Sequence, residues 1–191
     1  MNKRWSMVAL VVVAAAQLAA PITMILQREM ILRTGRAYKF RTRPVDPSDA
    51  FRGRYVQLGF EQDHAPRQGH DEVQPGREWF ARVADGPDGF AVIQEVAAAR
   101  PTQGDYFKVK ETWRGWGTNA GSVYFTLPFD RYYLEETKAP KAEQTYREQN
   151  RRNQTNGNTY AVVRIKNGDT ALADLYVADQ PIRDYFVKRS P

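Results

Sequence analysis

The 191-residue sequence contains no cysteine. This absence excludes disulfide bonds, thiolate zinc sites, iron–sulfur clusters and cysteine nucleophiles. Histidine is almost as scarce, since only His64 and His70 are present, in a segment rich in proline, glycine and acids whose spacing matches no metal site. We therefore predict neither a metal nor a cofactor for this protein.

The excess of basic over acidic residues lies in the first quarter of the chain. The net charge is +6, and charged and hydrophobic residues make up 26% and 42% of the sequence, as in a globular protein. Residues 27–54 carry eight basic and three acidic side chains, whereas residues 55–191 carry 18 basic and 19 acidic ones. A basic stretch directly after an apolar segment meets lipid headgroups more often than nucleic acid. We expect no nucleic-acid partner.

A long uncharged segment lies near the N-terminus. Residues 5–26 contain no charged side chain, and at about 1.5 Å per helical residue they span roughly 30 Å, enough for a bilayer core. A cleaved signal peptide is the alternative, but the small-residue pair Ala19-Ala20 is followed by Pro21, a poor neighbour for a cleavage site. We predict an uncleaved signal anchor over residues 1–33 that contacts membrane lipid, followed by a soluble domain over residues 34–191.

The two indications of membrane orientation disagree. A short N-terminal tail before a long apolar run is the usual layout of an anchor that exports the following domain. The positive-inside rule points the other way, because more basic residues follow the segment than precede it. We predict a single-pass protein of the inner membrane with its domain in the periplasm, and the opposite orientation stays open.

The rest of the chain has the pattern of short strands. Tyr38, Phe40 and Thr42 alternate with basic residues, as in a half-buried strand, and Asn167-Gly168 is a strong hairpin turn signal. Further strand pairs are predicted around residues 85–89 and 115–121, residues 61–78 are predicted to be a long loop, and residues 139–152 have helical propensity. The predicted fold is α+β: mainly antiparallel β, as a sheet or small open barrel, with one helix in the C-terminal half and the N-terminal transmembrane helix before it.

One group of candidate site residues lies in a proline-rich turn. Asp46 and Asp49 stand beside prolines, where aspartate usually closes a turn through backbone hydrogen bonds. Either carboxylate can hold Arg52 in a charge-assisted bond, and Gly53 permits a close approach or a positive φ. General acid–base catalysis needs two carboxylates in different environments, which a sequence does not reveal, so whether the protein is an enzyme stays open.

A second group is aromatic. Trp113 and Trp116 lie beside the glycine-rich residues 115–121, where they are the aromatic residues most expected to be exposed. Exposed aromatic side chains stack on sugars or grip a protein partner. Most β-rich cores also need aromatic side chains, so packing is the alternative role.

Residues 46–60 resemble the signature of the GDYXXLXY domain family, bacterial membrane-anchored proteins of unknown function. The matching positions are Asp46, Pro47, Arg52, Gly53, Tyr55 and Leu58. The sequence departs from the pattern at Arg54, where the family has an acid, and at Phe60, where it has tyrosine. Residues 132–136 resemble a second family feature, a tyrosine-rich stretch in which Glu136 aligns with the family glutamate.

The resemblance implies an accessory or binding protein of the bacterial envelope that partners a multi-span membrane protein. An envelope enzyme or glycan-binding module, using Asp46, Asp49, Arg52 and Tyr55 or the Trp113–Trp116 loop, is the alternative. Within the signature strand, Leu58 and Phe60 share one face and are core candidates, whereas Tyr55 lies on the other face.

Overall fold

The computed structural model describes residues 3–43, 55–67, 78–114, 121–134, 142, 144, 146 and 159–184. One helix and twelve strands are defined: α1 Lys3–Thr34, β1 Arg36–Arg43, β2 Tyr55–Gln57, β3 Gly59–Phe60, β4 His64–Pro66, β5 Trp79–Asp85, β6 Ala91–Ala97, β7 Asp105–Arg114, β8 Ser122–Thr126, β9 Arg131–Tyr133, β10 Thr159–Lys166, β11 Asp169–Val177 and β12 Gln180–Pro181.

Helix α1 carries the apolar segment. Within its stretch Met7–Thr34, an 18-residue window has a mean hydropathy of 2.2, and none of that window is buried against the described part of the protein. It is long and apolar enough to cross a membrane. The helix ends at Thr34, directly before Gly35, where the sequence predicted its end.

The first sheet has the strand order β12-β11-β10-β1-β3. In β1, Tyr38, Phe40 and Thr42 are buried, which confirms the predicted alternation. Strands β10 and β11 form a hairpin whose turn residues Asn167 and Gly168 have φ of 54° and 92°. Two successive positive φ values are those of a type I′ turn, so the predicted Asn-Gly hairpin is confirmed.

The second sheet has the order β4-β8-β7-β5-β6, and all its strand pairs are antiparallel. Its two edges approach each other where Arg67, directly after β4, forms a parallel bridge with Val96 of β6. Because this contact is an isolated bridge and not a ladder of paired residues, the strands described by the structure form a curled sheet and not a closed barrel. The predicted loop over residues 61–78 is wrong at β4, because His64–Pro66 pair with β8.

Phenylalanine side chains fill the space between the two sheets. The ring of Phe129 lies 5.0 Å from Phe40, 5.3 Å from Phe60 and 5.6 Å from Phe107, measured between ring centres. Leu58 and Phe60 are buried, as predicted. The predicted single strand over residues 55–60 is instead two short strands interrupted at Leu58, because β2 pairs with β9 and β3 pairs with β1. Burial of these aromatic groups contributes to the hydrophobic stabilisation of the domain.

The antiparallel β fold behind an N-terminal helix is confirmed, but the helix that the structure defines is N-terminal and does not lie in the C-terminal half. Of the segment 139–152 only Ala142, Gln144 and Tyr146 are described, and each has helical conformation. Ala142 and Tyr146 are buried in the core. The division into residues 1–33 and 34–191 stays a prediction.

Candidate functional site

A single residue, Gly35, joins the helix to the first strand. The Gly35 amide donates to the Ile31 carbonyl at 2.8 Å, and the Arg164 guanidinium donates to the Gly35 carbonyl at 2.9 Å. Next to this junction the Lys166 ammonium donates to the Thr34 hydroxyl at 2.6 Å. Ile31 itself is buried against the domain. These contacts fix the direction of the helix relative to the sheet.

The last turns of α1 lie beside the β10–β11 hairpin. The Gln27 amide donates to the Asp169 carboxylate at 3.1 Å, so the contact begins well before the helix ends. From Trp5 to Met24 the helix rises about 30 Å, the thickness of a bilayer core. A membrane crossed by this stretch would therefore bring its headgroups to the hairpin turn.

The two segments that resemble the family signature pair with each other. Strand β2 pairs antiparallel with β9, and Tyr55 stands opposite Tyr133. Their ring centres are 5.6 Å apart, and the Arg131 guanidinium lies 5.2 Å from the centre of the Tyr55 ring. We call Tyr55, Arg131 and Tyr133 the tyrosine–arginine cluster. Cation–π and aromatic contacts of this kind hold the three side chains together.

The cluster faces outward and carries a positive charge. Tyr133 is 63% exposed, although most large aromatic side chains of the domain are buried. A hydrogen bond with Tyr133, and then the charge of Asp130, raise the pKa of Arg131 above its ordinary value. Asp130 lies 4.0 Å from Arg131 and also accepts from the Gln57 amide at 3.4 Å.

One cleft lies between this cluster and the helix, and a second cleft adjoins it. The outer cleft has a volume of about 370 Å³ and is lined by Arg131 and Tyr133 on one side and by Arg28 of the helix on the other. The inner cleft, of about 480 Å³, lies between the helix and the base of the domain. Arg28, Pro128 and Thr170 line both.

The opposite face of β9 is fixed to the domain by a buried carboxylate. Asp174 is 5% exposed and accepts hydrogen bonds from the Tyr132 hydroxyl at 3.0 Å, from the Leu175 amide at 3.0 Å and from Arg183. Burial, followed by the nearby Asp174 charge, raises the pKa of Tyr132 well above its ordinary value. Tyr132 therefore stays neutral and holds β9 so that its neighbours point outward.

Of the site residues predicted from the sequence, the structure places two. Tyr55 belongs to the cluster, and Trp113 lies in β7, where its backbone pairs with Tyr124 of β8. The other candidates lie outside the described residues: Asp46, Asp49, Arg52, Gly53, Trp116 and Glu136. Their roles, and the glycan-binding alternative that depends on them, stay predictions.

Sequence reasoning missed Arg28 and Arg131 as site residues. Arg28 is the first charged residue after the uncharged segment, a signal that the sequence does contain. Arg131 directly precedes the tyrosine-rich stretch, but only the pairing of β9 with β2 brings it to Tyr55. Among the described residues, no group of three or more histidine and carboxylate side chains could hold a metal ion.

Comparison with known proteins identifies a family. The family model of the GDYXXLXY protein matches residues 17–175, which is most of the chain and includes the end of the helix and both strands of the cluster. No curated protein matched, and no solved structure matched. The chain therefore belongs to the GDYXXLXY family.

Proposed function

We propose that this protein is a membrane-anchored binding protein that presents its tyrosine–arginine cluster to a multi-span membrane protein on the periplasmic side of the inner membrane. The apolar helix and the family domain are consistent with a membrane-anchored protein. The partner and the side of the membrane are our inference.

One observation carries this proposal: the cluster opens onto a cleft whose other wall is the helix. Because Arg28 lines the same cleft as Arg131 and Tyr133, the exposed cluster lies close to the membrane surface if the helix crosses the bilayer. A partner that reaches this surface has to stand beside the helix. An integral membrane protein lies in the same bilayer and can contact this surface by lateral diffusion. The bilayer surface restricts the approach of a soluble protein to the same site.

The chemistry of the cluster suits a protein partner. Tyrosine and arginine are enriched among the residues that dominate binding at protein interfaces, because they combine apolar area with directed polar groups. The Tyr55–Tyr133 contact and the guanidinium of Arg131 hold the surface in one arrangement before binding, which lowers the entropic cost of association.

Photo-crosslinking in native membranes tests the partner. A photoreactive amino acid at position 133 should yield one dominant adduct with an integral membrane protein, and Arg131→Gln should reduce that adduct. Position 180 is the matched control, because Gln180 is exposed and its strand pairs with the far end of β11, roughly 25 Å along that strand from Asp169. Equal adducts from both positions, or none from position 133 in folded protein, would contradict the proposal.

The side of the membrane needs a separate measurement. Because the chain has no cysteine, Gln180→Cys creates a single thiol on the exposed edge of the domain. In intact spheroplasts, a membrane-impermeant maleimide should label this thiol if the domain is periplasmic. Labelling that requires lysis of the cells would place the domain in the cytoplasm instead.

A further inference from the structure

The inner cleft combines an apolar wall with an arginine. On the helix side it is lined by Met24, Ile25 and Arg28, and on the domain side by Lys108, Pro128 and Asp169. We propose that this cleft binds an anionic phospholipid, with the lipid phosphate on Arg28 and the first part of an acyl chain along Met24 and Ile25.

The position of Arg28 along the helix supports a lipid phosphate as the ligand. It is the first charged side chain after the uncharged residues 5–26. With the bilayer core spanned from Trp5 to Met24, Arg28 lies about 6 Å further along the axis. The headgroup layer extends roughly 5–7 Å beyond the core on each side, so the guanidinium reaches the level of the phosphates.

Within the described part of the chain, no carboxylate forms an ion pair with Arg28. Among the residues described by the structure, Arg28 forms no ion pair or hydrogen bond. Of the other two charged groups of the cleft, Lys108 is paired with Glu78 at 2.7 Å, whereas Asp169 accepts from the neutral Gln27 amide at 3.1 Å and keeps its negative charge. A planar guanidinium binds phosphate through two parallel hydrogen bonds, which makes arginine a suitable ligand here.

The apolar wall favours a lipid over a soluble anion. The side chains of Met24 and Ile25 are 71% and 67% exposed and lie one turn before Arg28 on the helix. A free phosphate would neutralise Arg28 and leave both side chains uncovered. A phospholipid satisfies the cation and covers the apolar surface at once, and its concentration beside a transmembrane helix is high.

Photolabelling of the full-length protein in nanodiscs tests this inference. The probe is phosphatidylglycerol with a photoreactive headgroup, present as a minor component of phosphatidylcholine nanodiscs. Labelling should concentrate in residues 24–31 and in the hairpin turn around Gly168. Arg28→Gln should lower that labelling about fivefold, the equivalent of the surface attraction of one basic residue, and Arg28→Lys should restore most of it.

Arg33→Gln is the matched control. Arg33 lies on the same helix, roughly 140° around its axis from Arg28, and is paired with Glu29. Its substitution should leave the labelling unchanged. The proposal is overturned if both variants lower the labelling equally, or if Arg28→Gln leaves it unchanged while the thermal unfolding matches that of the wild type. Protection by soluble glycerol phosphate would also overturn it, because the site would then bind a free anion.

Discussion

Gly35 is the position at which the coupling of helix to domain can be tested most directly. A Cβ atom added there would lie 2.6 Å from the Ile31 carbonyl oxygen and 3.1 Å from the Ile165 carbonyl oxygen. Carbon–oxygen contacts normally begin at about 3.3 Å, so the first contact is too short by about 0.7 Å. Both obstructing atoms belong to the backbone, one in the helix and one in β10, and neither can turn away as a side chain does.

We expect Gly35→Ala to destabilise the protein by about 2 kcal/mol, which for a chain of this size lowers the unfolding midpoint by about 4–8 °C. The measurement is thermal unfolding of the full-length protein in one detergent, followed by circular dichroism. Hydrogen exchange should report the same change locally, because the Gly35 amide bonded to Ile31 has to shift.

Gly121→Ala is the control, because an added Cβ at Gly121 meets no atom of the described residues within 4 Å. The same substitution there should leave the stability unchanged or raise it by about 0.4–1 kcal/mol through the unfolded state. If the two variants unfold within about 0.5 kcal/mol of each other, the helix is not held against β10 as described, and both proposals that depend on its direction lose their support.

Three further predictions concern the core, the hairpin turn and the buried carboxylate. Phe129→Ala should cost about 3–5 kcal/mol in denaturant unfolding, and Phe129→Leu clearly less, because the ring fills the space between the sheets. Gly168→Ala should lower the unfolding midpoint, since its φ is 92° and a Cβ would lie 2.8 Å from the Tyr106 ring; an unchanged midpoint would refute the turn geometry. Tyr132→Phe should cost about 1.5–3 kcal/mol near neutral pH, because Asp174 loses a donor. The pKa of Tyr132 in the folded protein is raised above its ordinary value of 10.0, so the wild type loses stability through this group as the pH rises above 10.0. Phenylalanine does not titrate, so the difference in unfolding free energy between the two proteins, measured in urea, should become smaller in this pH range.

Features encoded by neighbouring residues were predictable. The alternation of Tyr38, Phe40 and Thr42 follows from the period of a strand with one buried face, and Asn167-Gly168 turns the chain because both residues tolerate positive φ. The end of the helix at Thr34 is equally local, since it depends on the glycine that follows.

Features that depend on distant partners were not predictable in the same way. Strand β4 has only three residues, and its sequence, His64–Pro66, shows no strand pattern; it is a strand because β8 supplies its hydrogen bonds. Strand β9 is equally short and is paired with β2, which lies more than seventy positions earlier in the chain. Strand propensity in such short pieces is weaker than the tertiary contacts that decide their conformation.

The candidate site combines both kinds of feature, which is why the sequence yielded only part of it. The strand alternation places Tyr55 on the face opposite Leu58, so its half-buried position away from the core could be anticipated. The pairing of β2 with β9 places Arg131 and Tyr133 beside Tyr55. The single-residue junction at Gly35 places Arg28 of the helix on the other side of the cleft that the cluster lines. A flexible linker between helix and domain would leave Arg28 and the cluster without a fixed relation. The single-residue junction therefore gives Arg28 and the cluster a defined relation in the folded protein, and the proposed membrane-facing site depends on that relation.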